Sequence, residues 1–449
     1  MSPSLAAARK SYFFTVGGSF VMLQILFLAN LCYLYGALWR SDHRMHNLHI
    51  LMVDYDQGAI SESVRLAGAT LKADTFPTIS EKSSTKYLTE KDVESAVCRG
   101  DYWGAIYIHE QATANLNNAL AGQYSDTYDP AQAITLVWNQ IRYPTVAISV
   151  YSDLLVLTET AKAIYLRTNG SAALQALNTS APSTSTTQAL FNPFGATSLN
   201  LSPTPQSARF LLNTASIVMY TLMQFFFILA FNGITTGFNF HATIPIRTLI
   251  VFRLLASLAY AFIGALLSCA YIWAFRESWD LNGLQFVQTW AVLGLVMHIN
   301  FLVLDAVIAT IPITFVPFST FTWIIVNITS TVMPFDVSAG FYKIGYAWPA
   351  HELWTVLVQI WSKGCYNKLG RALPILFVWE VVMLGVDVWR QVVKGRGATI
   401  VQEEVERQDE GQAVSIVENG SRTRVDERGE TMSRYSLSGT EIQEEGKTA

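Results

Sequence analysis

Residues 12–38 read YFFTVGGSFVMLQILFLANLCYLYGAL, a run without charge whose only amides are Gln24 and Asn30. A helix needs about 20 such residues to cross ~30 Å of hydrocarbon. Arg9 and Lys10 precede the run, as basic residues precede a signal peptide. The run far exceeds the roughly 7–15-residue core of such a peptide, so an uncleaved membrane anchor is expected.

Working outward, five further apolar runs fall at 211–231, 249–275, 286–311, 318–333 and 373–393. They account for a composition of 51% hydrophobic and only 14% charged residues, too apolar for an ordinary soluble chain of 449 residues. The expected fold class is therefore an α-helical integral membrane protein of about six transmembrane helices, one followed by five. A small extracytoplasmic α/β domain is inserted after the first.

That domain occupies 39–210 and is long enough for its own core. NLHILMVDYD at 47–56, closed by the turn DQG, suits a buried strand followed by a helix over 60–71. YWGAIYIH at 102–109 has the aromatic and β-branched content of a second strand. A helix over 110–121, a third strand at 134–137 and a long helix over 145–166 follow, and the alternation implies an α/β layer. The Ser/Thr-rich stretch 168–206 reads as a flexible connector. It carries Asn-x-Ser/Thr glycosylation sequons at Asn169, Asn178 and Asn200, while Pro193 disqualifies Asn192.

Basic residues flank both ends of the first and last spans, so charge alone orients the chain only faintly. The sequons place 39–210 outside the cytosol. The polar, charged residues 394–449 read as a disordered cytosolic tail, and an even number of crossings puts both ends there. The plasma membrane, or another membrane of the secretory pathway, is the expected location. Between the last two spans, 335–371 is too aromatic for a plain loop. Trp354, Leu357, Val358 and Trp361 share a helical stripe behind Pro349, which reads as an interfacial or re-entrant helix on the outer side, or else as an element packed on the external domain.

Ionisable residues within spans are costly and mark candidate sites. Here they are Arg253, His298, Asp305, Glu380 and Asp387. His298 and Asp305 are seven apart, as are Glu380 and Asp387, so each pair shares a helix face. Arg253, Asp305 and Asp387 fall at one depth, about 7–9 Å from the cytosolic ends of their helices. Two readings fit: a polar pathway or proton relay, and a structural ion pair with Arg253 snorkelling, the second being the simpler. Of four cysteines, Cys98 and Cys365 lie outside the spans; free thiols are expected, with a bridge between them as the alternative.

Other motifs fail. Gly446-Lys447-Thr448 lacks the phosphate-loop glycine, Glu441 standing in its place. HExxH, paired CxxC and GxSxG are absent, and Asp54 and Asp56 are explained by turn chemistry. No catalytic residue, metal site or cofactor is expected, and no nucleic-acid partner; the chain is not read as an enzyme.

The layout, with LMVDYDQG at 51–58, GDYWGAIYIHEQATANLNNAL at 100–120 and the box Gly345-Tyr346-Ala347-Trp348-Pro349, resembles the membrane component of ABC-2-type exporters in their phage-infection-protein form. It resembles more closely the fungal nitrosoguanidine-resistance membrane proteins, over about 10–395. That resemblance implies export of, or resistance to, toxic small molecules, or a role in plasma-membrane lipid organisation. It also implies a possible homodimer or partner ATPase. The chain departs in having only about ten residues before its first span, where fungal relatives carry a longer cytosolic arm. The expected function is a transport-related membrane protein acting on amphipathic small molecules or lipids. The alternative is a non-transporting scaffold or lipid-homeostasis factor whose external domain binds proteins.

Overall fold

The computed structural model describes residues 5–123, 128–176 and 184–426. Helix α1 (Leu5–Leu38) leads into an α/β domain built from β1 (His49–Asp54), α2 (Ala59–Leu71), β2 (Thr78–Lys82), α3 (Glu90–Cys98), β3 (Gly104–Ile108), α4 (Ala112–Leu120), β4 (Ile134–Trp138), α5 (Pro144–Ala176), α6 (Thr184–Phe191) and β5 (Ala196–Asn200). The strands form one sheet in the order β2-β1-β3-β4-β5. Every neighbouring pair is parallel except β3 with β4.

Side-chain alternation splits the sheet's two faces. Ile50, Met52, Ile106, Ile108, Ile134 and Leu136 pack in the cluster that includes α2 and α5. Leu51, Val53, Ala105, Tyr107 and Val137 pack with Val93 and Val97 of α3. Burial on both faces explains why β1 and β3 read as continuous apolar runs rather than alternating ones. Helix α3 starts where Thr89 and Asp92 form a capping box.

The acidic turn after β1 is structural. Asp54 Oδ1 accepts from the Asp56 and Gln57 amides and from Ser61 Oγ, and Oδ2 receives Arg65 at 2.6 Å. Asp56 takes both the amide and the hydroxyl of Thr113, stitching the turn to α4. Asp54→Ala strands these donors and is expected to lower the stability of this domain by about 1–3 kcal/mol, read as earlier thermal unfolding of the full-length protein.

Two features of 168–206 differ from a flexible connector. Helix α5 runs on to Ala176, and β5 completes the sheet by pairing with β4. The hydroxyls that made the stretch look unstructured tie it to distant parts of the same domain: Thr197 donates to the Ala131 carbonyl and Thr186 to that of Ala119.

The membrane block contains α7 (Ala215–Gly237), the short α8 (Phe240–Thr243), α9 (Ile246–Ala274), α10 (Gly283–Ile308), α11 (Val316–Val332), α12 (Pro349–Trp361) and α13 (Leu369–Asp426). Among the described residues, six helices are long and apolar enough to cross a bilayer: Arg9–Leu38, Ala215–Gly237, Ile246–Ala274, Gly283–Ile308, Ile313–Val332 and Leu369–Gly397. Helix α10, capped by the reciprocal Asn282 and Gln285 pair, is enclosed by its neighbours, whereas α1 is almost bare. With six crossings the start of α1 and the far end of α13 share one side, the terminal side, and the sheet domain lies on the other.

Helix α13 also passes its expected limit. Where the sequence reading places a disordered tail from 394, the helix continues to Asp426. Strong helix formers such as Gln, Glu, Arg and Ala recur there and outweigh the isolated glycines. Residues 427–449 lie outside the described residues.

Candidate functional site

Helices α10 and α13 face one another, and the seven-residue spacing on each turns into two rungs. In the rung nearer the termini, Arg253 of α9 grips Asp305 of α10 with Nη2 at 2.5 Å from Oδ1 and Nε at 3.3 Å from Oδ2. The guanidinium also donates to Asn232 Oδ1 and Thr235 Oγ1 of α7, at 3.3 and 3.4 Å, and its carbon lies 4.8 Å from the centre of the Phe231 ring. Gln391 Nε2 of α13 donates to Asp305 Oδ2 at 2.9 Å. Asp387, one turn earlier on α13, lies beside Asp305 and Gln391. It is 3% exposed, and its Oδ1 has no hydrogen-bond partner. Lys394 lies near Arg253 and Asp305 on the terminal side, and Arg390 donates to the Ala309 carbonyl at 3.1 Å.

In the second rung, two helical turns nearer the sheet domain, His298 Nδ1 and Glu380 Oε1 are 2.6 Å apart. His298 Nε2 meets Ser257 Oγ of α9 at 3.1 Å. Glu380 Oε2 is buried without a partner. All five intramembrane candidates thus meet in one column between α9, α10 and α13. Ion pairing explains part of it, and the unpaired oxygens of Asp387 and Glu380 are what it leaves over.

Above the upper rung lies an aromatic cluster with no sequence-level signature. Trp379, adjacent to Glu380, packs with Trp323 of α11 and Trp348, the rings being 5.5–6.1 Å apart. Trp323 Nε1 donates to Asn300 Oδ1 at 2.8 Å, and Trp379 Nε1 donates to the Ala347 carbonyl at 2.6 Å. Trp379 is ten residues into α13, about 15 Å along it, so the chain dips deep between the helices before α12 climbs back. The box 345–349 makes that turn. A side chain at Gly345 would run into the Phe335 ring. Tyr346 packs on Phe335 and His351, with Arg371 4.7 Å from its ring centre. Pro349 opens α12.

Helix α12 is buried on nearly all sides, with Leu353, Trp354, Leu357 and Val358 each 1% exposed. It is therefore not a helix laid open to headgroups; its tryptophans serve as core. Ala350 N donates to Asn327 Oδ1 of α11, Trp361 Nε1 to Thr289 Oγ1 of α10, and Glu352 is ion-paired with Arg371 of α13. Trp354 Nε1 reaches the Arg142 carbonyl in the sheet domain at 3.1 Å.

That contact belongs to a tight joint. Arg142 stacks 3.8 Å above Trp103, whose Nε1 donates to Asp336 Oδ2. Tyr143 is buried between Trp103 and Trp354, and burial holds its phenol well above the ordinary value. Cys98 and Cys365 are disulfide-bonded across the joint, against the free thiols expected. Gly100 beside them has φ of +77° and abuts Tyr366, a position no larger residue fills without strain.

A cavity of about 980 Å³ opens between α1, α10 and α11. It is lined mostly by apolar side chains, among them Leu23, Leu26, Phe315 and Phe318. Val303 and Val307 of α10 also line it. They lie two residues either side of Asp305, about 200° around the helix, so cavity and charged column occupy opposite faces of α10.

Of the sequons, Asn169 lies near the end of α5, partly exposed. Asn178 falls outside the described residues. Asn200 sits in β5 with its amide tied to Gln140 and Ser202. Among the described residues no group of three or more His, Cys, Asp or Glu is placed to hold a metal ion.

One peripheral and five bundled apolar helices among the described residues, a sheet domain on the far side from the start of α1, and a buried column of ionisable side chains define a multi-pass membrane protein of one-plus-five architecture. The family model described as a protein of unknown function, DUF3533, matches residues 19–385, and the chain belongs to that family. No solved structure matches the chain.

Proposed function

We propose that this protein is a transport component of ABC-2-type exporter architecture, of the nitrosoguanidine-resistance kind, that moves amphipathic small molecules or lipids across its membrane. The observation that carries this reading is the column Arg253, Asp305, Asp387, His298 and Glu380. An anchor needs no ionisable ladder through its core, and such residues in a bundle interior characteristically mark ion or substrate pathways. Two carboxyls face one guanidinium in the lower rung, and a His–Glu pair forms the upper, so the column has groups able to exchange protons as a substrate passes. Energy comes from an ion gradient or from a partner ATPase, and pairing of two copies follows the exporter analogy.

The disulfide supports an extracytoplasmic sheet domain, because such bonds persist in oxidising compartments. In that orientation Asn169 and Asn178 are the glycosylated sequons, since a glycan on Asn200 would displace its bonds to Gln140. Expected is a glycosidase-sensitive mobility shift that Asn169→Gln with Asn178→Gln removes and Asn200→Gln leaves in place. No shift in the parent chain would count against this orientation.

Transport is tested with Asp387→Asn and Glu380→Gln, compared with the parent at matched abundance for export of radiolabelled toxic compounds and fluorescent lipids. Each is expected to reduce export at least about tenfold, the change that ~1.4 kcal/mol in a barrier produces. Parental export by both variants rules out transport through the column and favours the scaffold reading.

A further inference from the structure

The cavity beside α1 is not part of the charged column, and its construction says what fills it. Among the described residues, the hydrogen bonds and ring contacts that pin helix α1 to the bundle lie along its half nearer the sheet domain. There Asn30 Nδ2 donates to Thr322 Oγ1 at 3.2 Å, Phe27 packs on Phe321 with ring centres 4.7 Å apart, and Tyr342 Oη donates to the Tyr33 carbonyl at 2.9 Å. Ser19, Met22 and Leu23 belong to the half nearer the N-terminus, where α1 and α11 part and the space opens. Its walls are helices that span the bilayer, and the rest of α1 is bare: Phe14 is 84% exposed. The hydrocarbon around the protein therefore has direct access from the side.

The lining selects the same occupant. Its carbon surface comes from Leu23, Leu26, Val303, Phe315, Phe318 and Val326. Thr322, one of the few polar residues there, already donates its hydroxyl to the Phe318 carbonyl and accepts from Asn30. No charged residue lines the space. An unfilled void of this size would forfeit packing on every wall, and the hydroxyls of Ser19, Thr314, Ser319 and Thr322 are a minor part of a lining that is mostly carbon. Its volume is in the range of sites that enclose a drug-sized apolar ligand. The inner end abuts Trp348, whose ring packs 6.1 Å from that of Trp379, the neighbour of Glu380 in α13, so an occupant here lies one aromatic ring away from a residue beside the upper rung.

We infer that this cavity is a lateral binding site for an acyl chain of a bilayer phospholipid, drawn from the leaflet on the side of the chain termini. The inference deepens the transport reading by naming lipids as the class of molecule handled. It rests on that reading for the use made of the bound lipid, but not for the binding itself.

The test uses full-length protein reconstituted in phosphatidylcholine bilayers that include a small fraction of phosphatidylcholine with a photoactivatable group near the end of one acyl chain. Irradiation and peptide mapping are expected to place adducts on the cavity walls, at residues 19–26 and 315–326, several-fold above those on the bilayer-facing Phe252, Leu255 and Phe262 of α9. Ser319→Trp fills the space from α11 and Leu23→Trp from α1. Whichever variant keeps the parental elution and melting profile should reduce the enrichment to the level of α9. Asp387→Asn should leave labelling unchanged even where export is lost, so failure of the lipid site and failure of the charged pathway are separable. Uniform labelling of all bilayer-facing helices overturns the proposal, as does enrichment that persists in a folded, filled variant. Efficient cross-linking between copies carrying Ser319→Cys also overturns it, because the occupant is then a second copy of this chain.

Discussion

Arg253→Met is expected to leave little folded protein, at a cost of about 3–5 kcal/mol, because it removes the one cation gripping a buried carboxylate. Asp305 is fully buried and Arg253 is 2% exposed, so water cannot take over when the guanidinium goes. Asp305 would keep one hydrogen bond, from Gln391, and would face Asp387 with only the more distant Lys394 to offset two like groups. The amide of Asn232 and the hydroxyl of Thr235 would lose their bonds to the same guanidinium. The measurement is the melting profile and monodisperse yield of detergent-solubilised protein; an unchanged profile sinks this account of the lower rung.

The pair itself need not be a net source of stability, since desolvating two ions offsets much of their attraction. Arg253→Met combined with Asp305→Leu is therefore expected to recover much of the lost stability, with a coupling energy of about 1–3 kcal/mol between the sites. That double variant is informative for function as well. If it folds and exports, the ion pair is architectural; if it folds and does not export, the charges are retained for the pathway.

How far these features were legible beforehand follows from which of them depend on one helix. The six spans and the shared faces of His298 with Asp305 and Glu380 with Asp387 are properties of a single helical period, and these placements match the sequence reading. Which face meets which depends on the rotation and tilt of neighbouring helices, so depth alone grouped Arg253 with both Asp305 and Asp387 without choosing between them, and the pairing of His298 with Glu380 could not be read. Strand β2 reads TISEK and β5 reads ATSLN. Both are short, polar edge strands formed by the sheet beside them rather than by their own pattern, and both were missed. Helix α12 was legible only as a choice, since a tryptophan stripe suits a membrane interface and a crowded core equally well, and its burial and its Trp354 bond to Arg142 fit the reading packed on the external domain. The cavity beside α1 left no trace, because a void is a relation between helices that look alike in sequence.

The disulfide carries the second large expectation. Cys98 closes α3 in the sheet domain and Cys365 follows α12, 267 residues later. The chain-entropy view assigns such a long loop a constraint beyond the ~4.7 kcal/mol of a 100-residue loop. The value realised is lower here, because spans that remain inserted in the bilayer already restrict the unfolded chain. Cys98→Ser with Cys365→Ser is thus expected to cost about 2–4 kcal/mol, expressed as earlier release of the sheet domain from the bundle rather than loss of the spans. The remaining joint is apolar and hydrogen-bonded through Trp103, Arg142 and Trp354, so the domain should still dock at low temperature. Limited proteolysis distinguishes the states: cleavage in the external domain between residues 98 and 365 should leave two fragments that run together without reductant and apart with it. Fragments that separate without reductant would show that the bond is not formed. A serine pair as thermostable and protease-resistant as the parent would show instead that the aromatic joint alone holds the domain.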